Sequence, residues 1–443
     1  MGRGRRRRLP VDPVVVTIET MSHDGRGVAR VEGKTVFIQG ALSGEKVAFA
    51  YTRQQRKHDE GRVQEVLEAS PERVEPRCPQ ASVCGGCSLQ HQQPAAQIRD
   101  KQQALMDAFQ RIGRVQPDNL LSPLTLDSVW GYRSKARLGV KYVVKKDKVL
   151  VGFREKGTSF ITDIDHCDIL DPRVGQLISP LSALIGSLTL RSRIPQIEVA
   201  IGDRGCVLIF RLLDPPTEDD LEKLRQFGEA HGVSPYLQEG GADTVRPLSA
   251  IPTDLYYDLP EQKVQIHFLP ADFTQVNREL NRLMVEHAIE LLDPQSTEHL
   301  LDLFCGLGNF TLPLARRCEE VVGVEGDSGL VARARDNALR NAIGNIRYYT
   351  ANLYGSLERE PWLLESFDKA LLDPPRSGAL EVLGHLPRLG VKRILYVSCY
   401  PGTLARDAGE LVHRYGYRLA SAGVMDMFPH TTHVESIALF EKR

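Results

Sequence analysis

The sequence predicts a multidomain chain, with a small closed β-barrel, a central α+β domain and a C-terminal doubly wound α/β domain. Three observations lead there. The 443 residues exceed what one ordinary hydrophobic core accommodates. Short alternating strands bounded by Gly, Asp and Ser fill residues 13 to 70. Toward the C-terminus, apolar strands that end in glycine or acid alternate with helical stretches. The boundaries read from these shifts are a basic tail at 1–12, the barrel at 13–70, the central domain at 71–268 and the α/β domain at 269–443.

Composition narrows the class. Hydrophobic content of 42% with 26% charged residues is that of a globular protein. No apolar run approaches the roughly 18 residues a membrane span needs. The opening "MGRGRRRRLP" has five arginines with no apolar segment behind them, so it does not read as a secretory signal. A cytoplasmic location is therefore expected, with eight reduced cysteines whose clustering suggests metal or catalysis before disulfides. The net charge of −1 conceals an asymmetry. Residues 1–150 hold 26 Lys and Arg against 16 Asp and Glu, net +10, which leaves −11 for the remainder. A basic end suits a polyphosphate partner through counterion release, and a solvated tail with ordinary surface gives the same numbers.

In the barrel region, "VVVTIET", "GVARVEG", "KTVFIQG", "EKVAFAYT" and "GRVQEVLEA" read as five strands of an oligonucleotide-binding-type barrel, and "YTRQQRKHDEGR" as a basic, mobile loop. The region resembles the TRAM domain, an RNA-binding barrel appended to RNA-modifying enzymes. Cys78, Cys84 and Cys87 follow, then a helical "AAQIRDKQQALMDAFQRIG" and a strand-rich stretch to residue 268. Within it, "WGYRSKARLGVKYVV" places Tyr132, Arg133, Lys135, Arg137 and Lys141 on one strand, as suits stacking on bases and holding phosphates. A sheet edge kept soluble by charge is the alternative.

The α/β domain is the most explicit. "EHLLDLFCGLGNFTLPLARRC" reads as strand, glycine turn and helix, "EVVGVEGD" as a strand ending in acid, and "FDKALLDPPRSG" and "VKRILYVSCYPGTLARD" as further strands feeding loops. Ligands of such sheets bind beyond the carboxyl ends of the strands, where Gly306, Gly308, Glu325, Asp373 and Cys399 fall. The third glycine of a dinucleotide fingerprint is missing after Gly308. Asp302, just before the turn, would repel a pyrophosphate and suit a cationic, phosphate-free ligand such as S-adenosylmethionine, while Glu325 is placed to accept ribose hydroxyls. "DLFCGLGNF" with "VVGVEGD" resembles the class I methyltransferase pattern. In "DPPR" the prolines hold Asp373 at the same face. Amino-group methyltransferases of this fold carry an aromatic residue where Arg376 stands here.

Cys399 ends a strand at that face, beside Pro401. A buried cysteine more often serves as a small apolar residue. Carbon 5 of uracil, however, is too poor a nucleophile to accept a methyl group unless a thiolate first adds at carbon 6, and the C5 proton must then be removed by a base. Glu435 in "HTTHVESIALFEK" heads the final apolar strand and could be that base. "FTQVNRELN", "DLFCGLGNF", "LLDPPRSG", "YVSCYPGTLARD" and "HTTHVES", in this order, resemble the RNA uracil-5-methyltransferase family across residues 271–443. The resemblance implies Cys399 as nucleophile and Glu435 as proton-abstracting carboxylate. It implies Gln275, Phe304, Asn309, Glu325, Asn352 and Asp373 as S-adenosylmethionine contacts.

Cys78, Cys84 and Cys87, with Cys167 lying 80 residues beyond Cys87, suit structural zinc or an iron–sulfur cubane. Three clustered cysteines and one distant one are more frequent for a 4Fe-4S cluster. With the barrel ahead of it, the chain resembles the branch of the family that makes 5-methyluridine in 23S ribosomal RNA. The tRNA branch lacks both the barrel and the cysteine cluster. A monomer is expected. An RNA or protein amino-methyltransferase, or a noncatalytic RNA-binding factor, would have no need of Cys399 and Glu435 together.

Overall fold

The computed structural model describes residues 9–443 apart from 11, 23, 356 and 359. Residues 1–8, and with them the arginine run, lie outside the described residues. Two compact units result. One holds the residues up to 100 with 154–160 and 429–432, and the other holds 101–153, 161–428 and 433–443. Among the described residues no helix is long and apolar enough to cross a membrane.

The first unit contains six strands, β1 (Val14–Thr17), β2 (Thr20–Met21), β3 (Gly27–Val31), β4 (Lys34–Gln39), β5 (Lys46–Gln54) and β6 (Asp59–Glu68), in the order β1-β5-β6-β4-β3-β2. The stretch read as one strand over 14–20 changes partner at the buried Ile18. Before it the chain pairs with β5 and after it with β3, so the sheet curls around Ala29, Val36, Ile38, Val47 and Phe49. The basic loop differs from the expectation. The β5–β6 ladder runs on to Gln54 opposite Asp59, and Asp59 Oδ1 accepts from Lys34 Nζ (2.6 Å) and the Gln55 N–H (3.0 Å), so only residues 55–58 turn. After β6, Arg73 grips the fully buried Glu45 through two nitrogens (2.5 and 2.7 Å) and fastens the segment that carries Cys78, Cys84 and Cys87. Residues 154–160 lie on that segment, with the Gly85 N–H donating to Arg154 O and the Lys156 N–H to Val83 O.

The second unit opens with the short β7 (Asn119–Leu120). A six-stranded sheet follows, built from β8 (Lys135–Val143), β9 (Lys148–Gly152), β10 (Gln196–Ile201), β11 (Cys206–Arg211), β12 (Ser234–Gln238) and β13 (Arg246–Pro247), in the order β13-β12-β11-β10-β8-β9. The expected basic strand is shorter than the sequence suggested. Tyr132 is buried, and Arg133 bridges to Leu170 and Asn277 instead of joining β8. Lys135, Arg137 and Lys141 do alternate onto the face away from the core, as a period of two requires. Two of them are already engaged. Lys135 Nζ donates to the carbonyls of Pro270 and Asp272, tying down residues 269–275, and Arg137 pairs with Glu198.

A hairpin of β14 (Tyr256–Leu259) and β15 (Val264–His267) leads to the helix Arg278–Leu292 and an eight-stranded sheet. Its strands are β16 (His299–Leu303), β17 (Glu320–Glu325), β18 (Ile346–Thr350), β19 (Lys369–Leu372), β20 (Arg393–Ser398), β21 (Tyr417–Met425) and β22 (Glu435–Lys442), with β7 at one edge. The order is β18-β17-β16-β19-β20-β22-β21-β7. β16 to β20 are parallel and nearly continuous in apolar residues, as strands covered on both faces must be. The sheet is not parallel throughout. β21 and β22 are joined without a helical crossover, so they pair antiparallel, and β22 enters between β20 and β21 running against both.

The helix Pro401–His413 begins directly after Cys399, with Pro401 at its first position, where a missing N–H costs nothing. Its middle rests on the wide turn Phe109–Gly113 through two glycines. A Cβ on Gly113 would stand 2.3 Å from Ala405 O, and one on Gly409 would stand 2.9 Å from Gly113 O. Gly113→Ala is therefore expected to lower the unfolding free energy by about 1–3 kcal/mol in urea titrations. Gly186→Ala, in the helix Ile178–Ser187 with nothing within 4 Å of the added carbon, is expected to be neutral or stabilising by up to about 1 kcal/mol.

Candidate active site

The carboxyl ends of the parallel strands open onto a cavity of about 650 Å³. Beyond β16 the backbone turns through left-handed conformations at Phe304 (φ +65), Gly306 (φ +53) and Gly308 (φ +92). A side chain at Gly308 would meet Leu312 Cδ1 at 2.0 Å, so this turn needs glycine for both its angle and its room. Glu325 holds the turn from the end of β17. One carboxylate oxygen accepts the Gly306 N–H (3.1 Å), and the other accepts those of Gly326 (2.7 Å) and Asp327 (3.0 Å).

Gln275, Phe304, Asn309, Glu325, Asn352, Asp373, Cys399 and Glu435 all line this one cavity. The side chain of Asn309 is committed to the wall. Its Oδ1 accepts from Tyr257 Oη and Asn281 Nδ2 (2.9 Å each), and its Nδ2 donates to Asn281 Oδ1 (3.0 Å), so it offers a ligand its backbone. Phe304 faces Tyr354 at 5.7 Å between ring centroids. Asn352, in the loop after β18, accepts the Tyr354 N–H (3.1 Å). Gln275 sits on the segment that Lys135 ties down.

Sheet register brings Cys399 and Glu435 together. β20 and β22 pair antiparallel with Ser398 opposite Ser436, and Ser436 Oγ donates to Ser398 O (3.0 Å), which puts the next residue of one strand beside the preceding residue of the other. Glu435 is 3% exposed and Cys399 is half-buried. Burial, reinforced by Asp373, pushes the Glu435 carboxyl well above the usual carboxylate range. Burial pushes Asp373 up to about 7. The Cys399 thiol rises to about 11, through burial and then the acids Glu435 and Asp373, with Arg376 opposing. Burial thus raises the cost of ionising the thiol and both of these acids.

Asp302 departs from the expected role. It lies beneath the turn, 1% exposed and off the cavity wall, where Thr311 Oγ1 donates to its Oδ2 (2.5 Å). Burial pushes it up to about 8, so it neither faces a ligand nor carries a full charge, and the argument against a pyrophosphate cannot rest on it. Other wall residues carried no signal in the sequence. Tyr257, Tyr354, Phe428 and His433 line the cavity, and Arg133 belongs to it rather than to an outer strand. His433 stood in the quoted "HTTHVES", but a histidine beside an apolar strand carries no signal of its own.

Cys78, Cys84 and Cys87 belong to the first unit and Cys167 to the second. The side chain of Gln90 accepts the Cys78 N–H (3.1 Å) and donates to Cys87 Sγ (3.2 Å), and the Gly86 N–H donates to Cys84 Sγ (3.4 Å). Lys156 feels all three thiols, which oppose the effect of burial on its ammonium. Among the described residues no group of three or more His, Cys, Asp or Glu is arranged to hold a metal ion.

Residues 94–443 match the family model described as tRNA (Uracil-5-)-methyltransferase, and residues 8–49 match the TRAM domain. The 23S rRNA (uracil(1939)-C(5))-methyltransferase RlmD of Alkalilimnicola ehrlichii is 54% identical over 443 residues, covering 100% of this chain and 99% of the relative. The protein of the same name from Nitrosococcus oceani is 56% identical over 439 residues, covering 99% and 98%. In fold, the chain is similar to the crystal structure of Pyrococcus abyssi tRNA (uracil-54, C5)-methyltransferase in complex with S-adenosyl-L-homocysteine. That likeness has a TM-score of 0.74 and 24% identity, covering 96% of this chain and 99% of the other.

The buried Glu435 implies a pH-dependent stability. Its folded state holds the proton above the ordinary carboxylate value, so unfolding releases it and this group's contribution to stability falls as pH rises from about 4.5 upward. Glu435→Gln removes this term and should gain on the wild type with a slope of at most about 1.4 kcal/mol per pH unit. Urea titrations between pH 5 and 8 check this, and parallel stability curves would contradict it.

Proposed function

The chain belongs to the tRNA (Uracil-5-)-methyltransferase family, and on that premise we propose that it methylates carbon 5 of a specific uridine in 23S ribosomal RNA. The family model carries a tRNA name, and a tRNA methyltransferase of similar fold covers 96% of this chain, so the expectation that tRNA enzymes lack the amino-terminal barrel does not separate the two substrates. The relatives 54% and 56% identical over the whole chain are named for 23S rRNA, and this favours the ribosomal substrate. The observation that carries the chemistry is a thiol and a desolvated carboxyl brought side by side by the pairing of β20 with β22, on one cavity.

Residues of the wall fit S-adenosylmethionine. The glycine turn leaves room for close backbone approach, Glu325 offers a carboxylate for ribose hydroxyls, Phe304 and Tyr354 offer aromatic faces, and the volume lies within the range of small-molecule sites. When bound, this cofactor supplies the methyl group. Gln275, Phe304, Asn309, Glu325, Asn352 and Asp373 would hold it. The thiolate of Cys399 adds to carbon 6 of the uracil, and the electron pair of the C5–C6 double bond moves into an enolate that makes carbon 5 nucleophilic. Once carbon 5 carries the methyl group, the Glu435 carboxylate takes its proton, the C5–C6 double bond re-forms, and the Cys399 thiolate leaves. The target base must be drawn out of its stack to reach this wall, at a cost of about a few kcal/mol, and the barrel and Arg133 are suited to offset this by contacts elsewhere on the RNA. A cytoplasmic monomer suits this reading.

We further propose that Cys78, Cys84, Cys87 and Cys167 hold a 4Fe-4S cluster. Supporting this are the cysteine spacing and the N–H groups of Gly86 and Gln90 directed at two of the sulfurs, the hydrogen bonds that sulfur ligands of such a cluster accept. The cluster would supply a covalent tie between segments 80 residues apart.

Cys399→Ala should abolish turnover and covalent capture of RNA containing 5-fluorouridine. Glu435→Gln should accumulate a methylated covalent adduct that is not released, because only proton removal is blocked. Adducts are read on denaturing gels, and adduct formation by Cys399→Ala would refute the mechanism. Protein purified without air should carry about four iron and four sulfide per chain. Stoichiometric zinc without sulfide would replace the cluster with a structural zinc site.

A further inference from the structure

The proposed reaction starts from a thiolate, yet the site disfavours one. Cys399 stands among Glu435 and Asp373, and each proton lost from any of the three makes the next loss harder. One cation on the wall opposes this. Arg376, the last residue of "DPPR", lines the same cavity. Among the described residues it has no carboxylate within ion-pair distance, whereas Arg173, Arg278, Arg282 and Arg333 of the same unit are each paired with aspartate. Its guanidinium is held instead by a neutral acceptor, with Nη2 donating to His433 Nδ1 at 2.9 Å. Its backbone is held by Thr403, whose Oγ1 donates to Arg376 O (3.1 Å) from the helix that begins beside Cys399.

An arginine neutralised by a carboxylate would have little charge to lend. One positioned by an imidazole keeps its full charge. The imidazole must stay neutral to accept, and its surroundings ensure this. Arg376 from the loop after β19, Lys101 from the helix Pro94–Ala108 and Arg133 from the segment before β8 all face His433, which is also packed against Phe428. Burial first, and then these three cations, hold His433 below its usual pKa, so its Nδ1 lone pair stays available at neutral pH.

We propose that Arg376 is the charge partner of the Cys399 thiolate, and that neutral His433 is the positioning residue that keeps this guanidinium aimed into the cavity. The inference rests on the reading of Cys399 as the nucleophile. In the step it serves, the S–H bond of Cys399 breaks, the proton passes to water, and the electron pair stays on sulfur opposite a guanidinium that remains protonated throughout. The expected order of ionisation follows. The thiol gains from the nearby positive charge before Glu435 has to become a carboxylate, and Glu435 is thereby left for the later proton removal.

The test measures the pH dependence of Cys399 alkylation by iodoacetamide in the full chain, quantified on the peptide that contains Cys399. Arg376→Met should move the profile to higher pH and slow alkylation at pH 8 about tenfold, the size expected when one nearby opposite charge is removed. Arg376→Lys should retain most of the wild-type profile. His433→Leu should shift it in the same direction as Arg376→Met but less, and His433→Gln, which keeps an acceptor, should shift it less again. Calorimetry with S-adenosylmethionine establishes that each variant is folded. A wild-type profile in Arg376→Met overturns the proposal, including the case in which RNA affinity alone falls, which would make Arg376 a phosphate anchor. So does a lysine variant shifted as far as the methionine one, which would mean that the position acts through shape. Covalent capture of 5-fluorouridine RNA separates the two readings. If capture persists in Cys399→Ala, the nucleophile assignment fails. If capture depends on Cys399 while the alkylation profile ignores Arg376, only the present inference fails.

Discussion

The antiparallel pairing of β20 with β22 is the constraint on which the site depends. Residues 399 and 435 are far apart in the chain, and neither is distinctive alone. The ladder fixes Ser398 opposite Ser436, and a buried hydroxyl bond between those two residues seals the end of the pair. A shift of one residue would turn every side chain of β22 to the other face of the sheet and carry Glu435 away from the cavity. β22 is apolar on both faces because it is central, so the register is set by packing along its whole length.

Burial that secures the register also sets the chemistry. A carboxyl 3% exposed at the end of a central strand is expensive to ionise, and the half-buried thiol beside it is raised as well. Such a site favours the protonated forms, and a nearby positive charge opposes this for the thiol. The walls answer this with a guanidinium held by an imidazole instead of a carboxylate. The glycine turn shows the same logic for the cofactor side. Glu325 commits part of its hydrogen-bonding capacity to the turn itself, so the chain's own groups shape the loop.

Several residues that carry charge in the sequence turn out to be building material. Lys135 fastens a loop by donating to two carbonyls, Arg73 closes on a buried glutamate, and Lys101 lies almost wholly buried against Asp426 (2.7 Å). Removing the partner of the buried Glu45, or either member of the Lys101–Asp426 pair, would cost several kcal/mol, because the charge left behind could not be hydrated. Charge counts along a chain therefore overestimate the surface left for a polyanion. What remains toward the cavity is Arg133 and Arg376, two guanidinium groups without a carboxylate within ion-pair distance among the described residues.

The class of the C-terminal domain and the placing of Gly306, Gly308, Glu325, Asp373 and Cys399 at its strand ends were legible in the sequence, because both are written locally. A strand that ends in a glycine turn, an acid at the next strand end, and a cysteine followed by proline each occupy a few consecutive positions, and the α/β topology sends all strand ends to one face. Local pattern could not tell which charged side chains face a ligand. Asp302 looked like part of the site and is buried beneath it, the basic stretch 132–141 divides between cavity wall, loop fastening and strand surface, and the supposed basic loop is the end of a paired hairpin. Tertiary structure alone decided these, as it decided the antiparallel entry of β22 and the holding of Arg376 by His433. Spacing along a chain reports secondary structure, while the state of a charge depends on desolvation and on partners tens to hundreds of residues away, and only the folded chain brings these together.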